Sequence, residues 1–198
     1  NYGCSNNESG LIWTSDRKAE QLAIERCLEG LEFGFEEVGY VEAHGTSTVL
    51  GDEEEYLTLL STYGRPKRRA PLRFASAKSL IGHLSQGAGA VGLLRILYAF
   101  QEGAYPFSVN IQEPRFEDNE SIHHQLRHEE WRGPGPRRAG INGFGFGGID
   151  YHLVVEEYQK SWKQPPKASF KSPTEPSMVI VGTHYELPQG ISLKELSE

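Results

Sequence analysis

Apolar positions along the chain switch between a helical and a strand-like period. In DRKAEQLAIERCLEGLE (16–32), Ala19, Leu22, Ala23, Cys27 and Leu31 recur at helical spacing. Asp16 is placed to cap that helix, and Gly34 follows its end. VGYVEAH (38–44) reads as a short apolar strand. Asp52 then caps a second helix, with Glu55 three residues on as its capping-box partner, and Gly64 and Pro66 stop it. PLRFASA (71–77) is the next strand. GAGAVGLLRILYAFQEG (87–103) is a long apolar helix whose first turns are rich in Gly and Ala. Small side chains admit another backbone at close range, so this helix is expected to lie buried under a site.

Residues 1–15 read as a loop with some extended structure, and 104–136 as an irregular, proline-containing connector. RRAGINGFGFGGIDYHLVVEEY (137–158) is two strands joined by a Gly–Phe turn. Composition changes after Tyr158. The pattern predicts one unit over 1–158, a Pro-rich linker over 159–177, and the start of a further linker or domain over 178–198. Strands alternating with helices predict a layered α/β core.

Composition narrows the function classes. With 37% apolar and 24% charged residues in 198, the chain has enough material for one globular core. A net charge of −7 argues against a nucleic-acid partner. No apolar run approaches the roughly 20 residues of a membrane helix, so no membrane partner is expected. Two cysteines, Cys4 and Cys27, are too few for a disulfide framework and form no zinc-type pair. Cys27 sits on the apolar side of a helix as a small core residue. Reduced thiols and a cytoplasmic setting are the simplest expectation.

Three stretches combine polar chemistry with the end of an expected strand: HGTSTVLGDEEE (44–55), ASAKSLIGH (75–83) and NGFGFGG (142–148). Loops at strand ends are where α/β proteins build sites. Each has a plain alternative. His44 alone can be a structural histidine or a catalyst. Lys78 alone is an ordinary solvated charge, and His83 a cap-like residue before a helix. GFGFGG can be a tight turn, and GDEEE a helix start whose acids suit the macrodipole. HHQLRHEEW (123–131) sets His124 and His128 four apart, which would suit a metal on a helix, but a solvated loop explains it better.

The three stretches together, in this order, resemble the β-ketoacyl synthases, the condensing enzymes of fatty acid and polyketide synthesis. VEAHGTSTVLGDEEE is similar to that family's first histidine motif. SAKSLIGHLSQGAGAVGLLR is similar to its lysine and second-histidine motif, and NGFGFGGIDYHLVVEE to its C-terminal glycine-rich signature. SNNESGLIWTSDRKAEQLAIERCLE resembles the stretch before the first motif. The resemblance spans about residues 3–158, and RRAGINGFGFGG is most like ketosynthases of large multidomain polyketide or polyunsaturated-fatty-acid synthases.

The resemblance implies a thiolase-like α/β/α/β/α fold, of which this chain is the C-terminal half. It implies that the nucleophilic cysteine lies in an N-terminal half outside this sequence. Cys4 stands in the loop position before the first helix and is not expected to replace that cysteine. The implied reaction is a decarboxylative Claisen condensation of an acyl thioester with malonyl-carrier protein. His44 and His83 would donate hydrogen bonds to the developing oxyanion. Lys78 would pair with Glu55 and organise both. Thr46 and Thr48 would contact the phosphopantetheine arm of the carrier protein, with no tightly bound cofactor. Phe146 would be the gate, its N–H completing an oxyanion hole, on a turn that Gly145, Gly147 and Gly148 let move. Implied partners are the N-terminal half, acyl carrier protein and, for the whole domain, a second copy.

Departures from the family pattern are Leu80, Arg95 and Asp150, where Asn, Lys and Asn are common. His152 matches a frequent family histidine and reads as structural. Two other functions stay open: a non-condensing gatekeeper or chain-length relative, and a half-domain that acts only as an interaction module.

Overall fold

A computed structural model describes residues 1–7, 14–65 and 68–160. The expected linker from residue 161 onward, the segment 178–198 and the helix stop at Pro66 lie outside the described residues.

Six strands form one mixed sheet: β1 (Tyr2–Asn6), β2 (Tyr40–Glu42), β3 (Leu72–Ala75), β4 (Ile122–His124), β5 (Arg138–Gly145) and β6 (Ile149–Glu156). Their spatial order is β1-β6-β5-β2-β3-β4. β1, β6 and β5 run antiparallel, while β5, β2, β3 and β4 run parallel. Parallel neighbours need a crossover. Helix α2 (Val49–Thr62) carries the chain from β2 to β3, and α4 (Ala88–Glu102) lies on the path from β3 to β4. A single turn, α3 (Lys78–Ile81), follows β3.

Period-two alternation sorts the sheet into two faces. One buries Val41, Leu72, Phe74, Ile122 and Val154 against Ile24, Cys27 and Leu28 of α1 (Arg17–Leu28) and Leu59 of α2. The other buries Tyr40, Ala75, Ala139 and Ile141 against Ile96, Ala99 and Phe100 of α4, with Trp131 closing the end. Each fully buried aliphatic side chain contributes about 1.5–3 kcal/mol. The layered α/β expectation is what forms: helices on both faces of a mixed sheet.

Boundaries shift for local reasons. Asp16 caps α1 by accepting from the N–H groups of Lys18 and Ala19, but the helix ends at Leu28, well before Gly34. The second helix starts at Val49 rather than after Asp52. Asp52 instead accepts the Ser47 N–H at 3.0 Å, and Glu55 turns inward, so no capping box forms. The first residues hold β1, an edge strand on β6, and the connector 104–136 contains β4. His124 lies in that strand and stacks on Phe74, so it shares no helix face with His128.

Candidate active site

Three parallel strands end at one edge of the sheet, and each delivers a motif there. β2 leads into His44, β3 into Lys78 and His83, and β5 ends beside Phe144. The His44 and His83 rings meet edge to face, with centroids 5.7 Å apart. His44 Nδ1 accepts the Phe144 backbone N–H at 3.4 Å. His83 Nδ1 accepts the Ser85 backbone N–H at 2.9 Å. A ring nitrogen that accepts carries no proton, so in both imidazoles Nε2 carries the hydrogen, and neither Nε2 has a hydrogen-bond partner among the described residues. His44 is held neutral: burial, then the Lys78 ammonium, then His83 pull its pKa down to about 3. His83 stands exposed at the surface of this chain.

Two buried carboxylates hold the loops that carry these groups. Glu55 accepts the backbone N–H of His44 at 2.7 Å and of Gly45 at 2.8 Å, and the Asn142 amide at 2.8 Å. Burial raises its pKa, against those three hydrogen bonds and the nearby Lys78 charge. Glu42 accepts the Ala77 N–H at 2.5 Å and the Tyr40 hydroxyl at 2.7 Å, and forms an ion pair with Arg95 at 3.0 Å. One carboxylate therefore fixes the loop of His44, the other the turn that starts at Lys78. Gly45 fits its place because its φ is +44° and a Cβ there would lie 2.8 Å from Ser76 Cβ.

Lys78 and Glu55 do not form the direct ion pair expected of them; no ion pair among the described residues includes Lys78. The N–H donors already occupy the Glu55 oxygens. The half-buried ammonium instead sits in the field of both Glu55 and Glu42, with its pKa lowered by burial.

Thr46, Lys78, Glu55 and His83 line a cavity of about 520 Å³ that runs on to Phe116 and His124. The Thr46 and Thr48 hydroxyls lie 3.4 Å apart beside it. Arg115 donates to the carbonyls of Thr48 and Val49, tying the connector to the start of α2. Phe146 heads the β5–β6 turn and is 84% exposed. That turn is pinned where the Asn7 N–H donates to the Gly148 carbonyl at 2.8 Å. Cys4 lies on edge strand β1, three strand spacings, about 14 Å, from β2.

Sequence reasoning missed Glu42 and Asn142 and placed Arg95 only as a departure. The one signal for Glu42 was a carboxylate inside an apolar strand. Asp150 is buried, and one of its carboxylate oxygens finds no hydrogen-bond partner among the described residues. Burial, then Asp16, pushes its pKa up to about 6.

Residues 1–112 match the family model for the β-ketoacyl synthase C-terminal domain. Erythronolide synthase EryA2 of Saccharopolyspora erythraea is 39% identical over 160 residues, which cover 78% of this chain and 4% of that protein. Cluster 41 polyketide synthase of Aspergillus flavus is 33% identical over 151 residues, covering 74% of this chain and 14% of that protein. Among solved structures, the ketosynthase from module 6 of the bacillaene synthase of Bacillus subtilis 168 superposes with a TM-score of 0.74 at 28% identity. That match covers 81% of this chain and 31% of the ketosynthase, so this chain spans under a third of the domain it resembles. The sheet with its helices is accordingly part of a thiolase-like fold, and the chain belongs to the β-ketoacyl synthase family, in its C-terminal domain.

Proposed function

We propose that this chain supplies the C-terminal part, under a third, of a ketosynthase of a polyketide synthase, and with it the oxyanion donors of a decarboxylative condensation. The observation that carries the reading is the pair of imidazoles at one strand edge, each fixed by a backbone N–H as an Nε2–H donor.

In this scheme a cysteine of the N-terminal half holds the acyl chain as a thioester. Malonyl enters on the phosphopantetheine arm of acyl carrier protein, along the cavity beside Thr46 and Thr48. The C–CO₂ bond breaks, carbon dioxide leaves, and the electron pair passes to an enolate whose thioester oxygen gains charge. His44 and His83 donate to that oxygen, and each donor is worth about 3 kcal/mol in a water-poor site. The enolate carbon attacks the acyl carbonyl, a C–C bond forms, and the cysteine thiolate leaves. Burial, helped by the Lys78 ammonium, holds His44 in its neutral, donating form. Glu55 fixes the loop that carries His44. Phe146, on its exposed turn, is the gate, with its N–H beside the acyl carbonyl. The carrier-protein arm is the substrate tether, and no tightly bound cofactor enters the scheme.

Partners follow from the surface. Leu80, Leu84, Leu94, Leu97 and Tyr98 are each between 48% and 65% exposed around α3 and α4. An apolar patch of that extent is a liability unless covered, and the N-terminal half is the cover proposed. The complete domain then works as a homodimer.

The test is to incubate the complete ketosynthase domain with an acyl thioester and malonyl-carrier protein, and to weigh the carrier protein. A β-ketoacyl product two carbons longer supports condensation. Acylation of the domain without extension would make it a non-condensing gatekeeper.

A further inference from the structure

We infer that Asn142, His152 and Tyr63 are positioning residues for His44, a buried hydrogen-bonded brace tying the middle and the C-terminal end of α2 to the strands behind the site; the inference rests on the condensing role proposed for His44. The brace is continuous. The Asn142 amide donates to Glu55 Oε1 at 2.8 Å. Its carbonyl oxygen then faces His152 Nδ1 at 2.6 Å. His152 Nε2 meets the Tyr63 hydroxyl at 2.7 Å. Asn142 and His152 stand directly opposite each other on β5 and β6, and all three residues are buried.

Donor and acceptor roles along it run one way. With the Asn142 NH₂ given to Glu55, only its oxygen remains to receive the His152 Nδ1–H. His152 Nε2 is then an acceptor, and the Tyr63 O–H is its donor. Reversing any link leaves two donors or two acceptors face to face in the core.

Its two ends are what give the brace a role beyond packing. Glu55 lies midway along α2, and Tyr63 caps the C-terminal end of that helix, about two turns on. The path from Glu55 through β5 and β6 to Tyr63 returns to the helix it left. Glu55 and β5 are also the two anchors of His44: Glu55 holds its backbone N–H, and Phe144, two residues past Asn142, donates to its Nδ1. If α2 slid against β5, those anchors would move apart and the His44 ring would lose its orientation and fixed tautomer. Neighbours of this kind typically change activity about 10-fold or more when removed.

The experiment uses the complete ketosynthase domain with three single variants. His152→Leu removes both links, His152→Asn keeps a donor for the Asn142 oxygen, and Tyr63→Phe deletes one hydroxyl. The readouts are carbon dioxide release from malonyl-carrier protein, acylation of the nucleophilic cysteine, and ¹⁵N spectra of ring-labelled histidine. A positioning role predicts that His152→Leu slows decarboxylation about 10-fold through kcat. Cysteine acylation stays unchanged, the His44 ring shows mixed tautomers, and His152→Asn recovers most of the rate. Should His152→Leu not fold, Tyr63→Phe decides, with a few-fold loss of decarboxylation and the same tautomer mixing expected. Equal loss of acylation and decarboxylation, or a His44 tautomer unchanged in every folded variant, overturns the inference. If the unsubstituted domain releases no carbon dioxide, the condensing role falls instead, and the spectra alone still judge the brace.

Discussion

Glu20, Glu54 and Glu55 meet very different fates on neighbouring helices. Glu54 pairs with Arg17 at 2.9 Å near the surface. Glu55 is buried and holds the His44 loop. Glu20 is buried with one oxygen on the Thr58 hydroxyl at 2.7 Å and the other without a partner among the described residues. Burial, then the charge of Glu55, pushes the Glu20 pKa up to about 9. A raised carboxyl pKa means that the folded state keeps a proton the unfolded chain gives up. Glu20 therefore favours folding most below about pH 4.5, and that contribution is lost as pH rises toward about 9. Glu20→Gln should flatten this slope and raise the denaturation midpoint at pH 8; denaturant melts of the complete domain across pH 5–9 check it. A midpoint lower at pH 8 in the variant would contradict the assignment. Such differences were invisible in the sequence, where GDEEE reads as an acidic helix start. Only the helical phase against the sheet decides which glutamate points inward. That His44, His83 and Lys78 gather at one strand edge was legible because each sits in a local motif. Asn142 and Glu42 were not, because the groups they hold come from segments distant in the chain.

Elements show the same division. The order of α1, β2, α2, β3, α4, β5 and β6 was readable from apolar periodicity, and the layered architecture follows from it. The start of α2 was misplaced because Asp52 and Glu55 carry the residue types of a cap. Asp52 instead serves Ser47, which adopts a left-handed φ of +65°, and Glu55 serves the site. β4 escaped notice because three residues between prolines and charges give too short a period to detect. The small-residue start of α4 was expected to be buried. Gly92 does pack closely, with a Cβ there meeting Glu42 and Ile141 at 3.2 and 3.3 Å, but Gly89 and Ala90 are exposed in this chain. At the centre of the sheet, Gly140 faces the His152 ring, and a Cβ would lie 2.6 Å from its Cε1. Gly140→Ala should destabilise the domain by about 1–3 kcal/mol by forcing β5 from β6. Chemical denaturation would show it, and a variant as stable as the parent would mean the two strands have slack there.

At the scale of the whole molecule, the C-terminal edge of the parallel strands is a site with one wall. The rings of His44 and His83, the cavity beside them and the apolar surface of α3 and α4 lie on the part of the fold that this chain contributes. The proposed N-terminal half must bring the nucleophile and cover that surface. Expressed alone, the chain is expected to self-associate through Leu80, Leu84, Leu94 and Tyr98, and to become monodisperse when co-expressed with that half; light scattering after gel filtration reads this. A sharply unfolding monomer of the isolated chain would contradict it. The central claim, that two neutral imidazoles stabilise the enolate oxygen, is tested most directly by carbon dioxide release from malonyl-carrier protein in His44→Ala and His83→Ala variants of the complete domain. Each should lose about 100-fold or more in decarboxylation while the cysteine still takes up the acyl group. Undiminished carbon dioxide release in either variant would contradict the account.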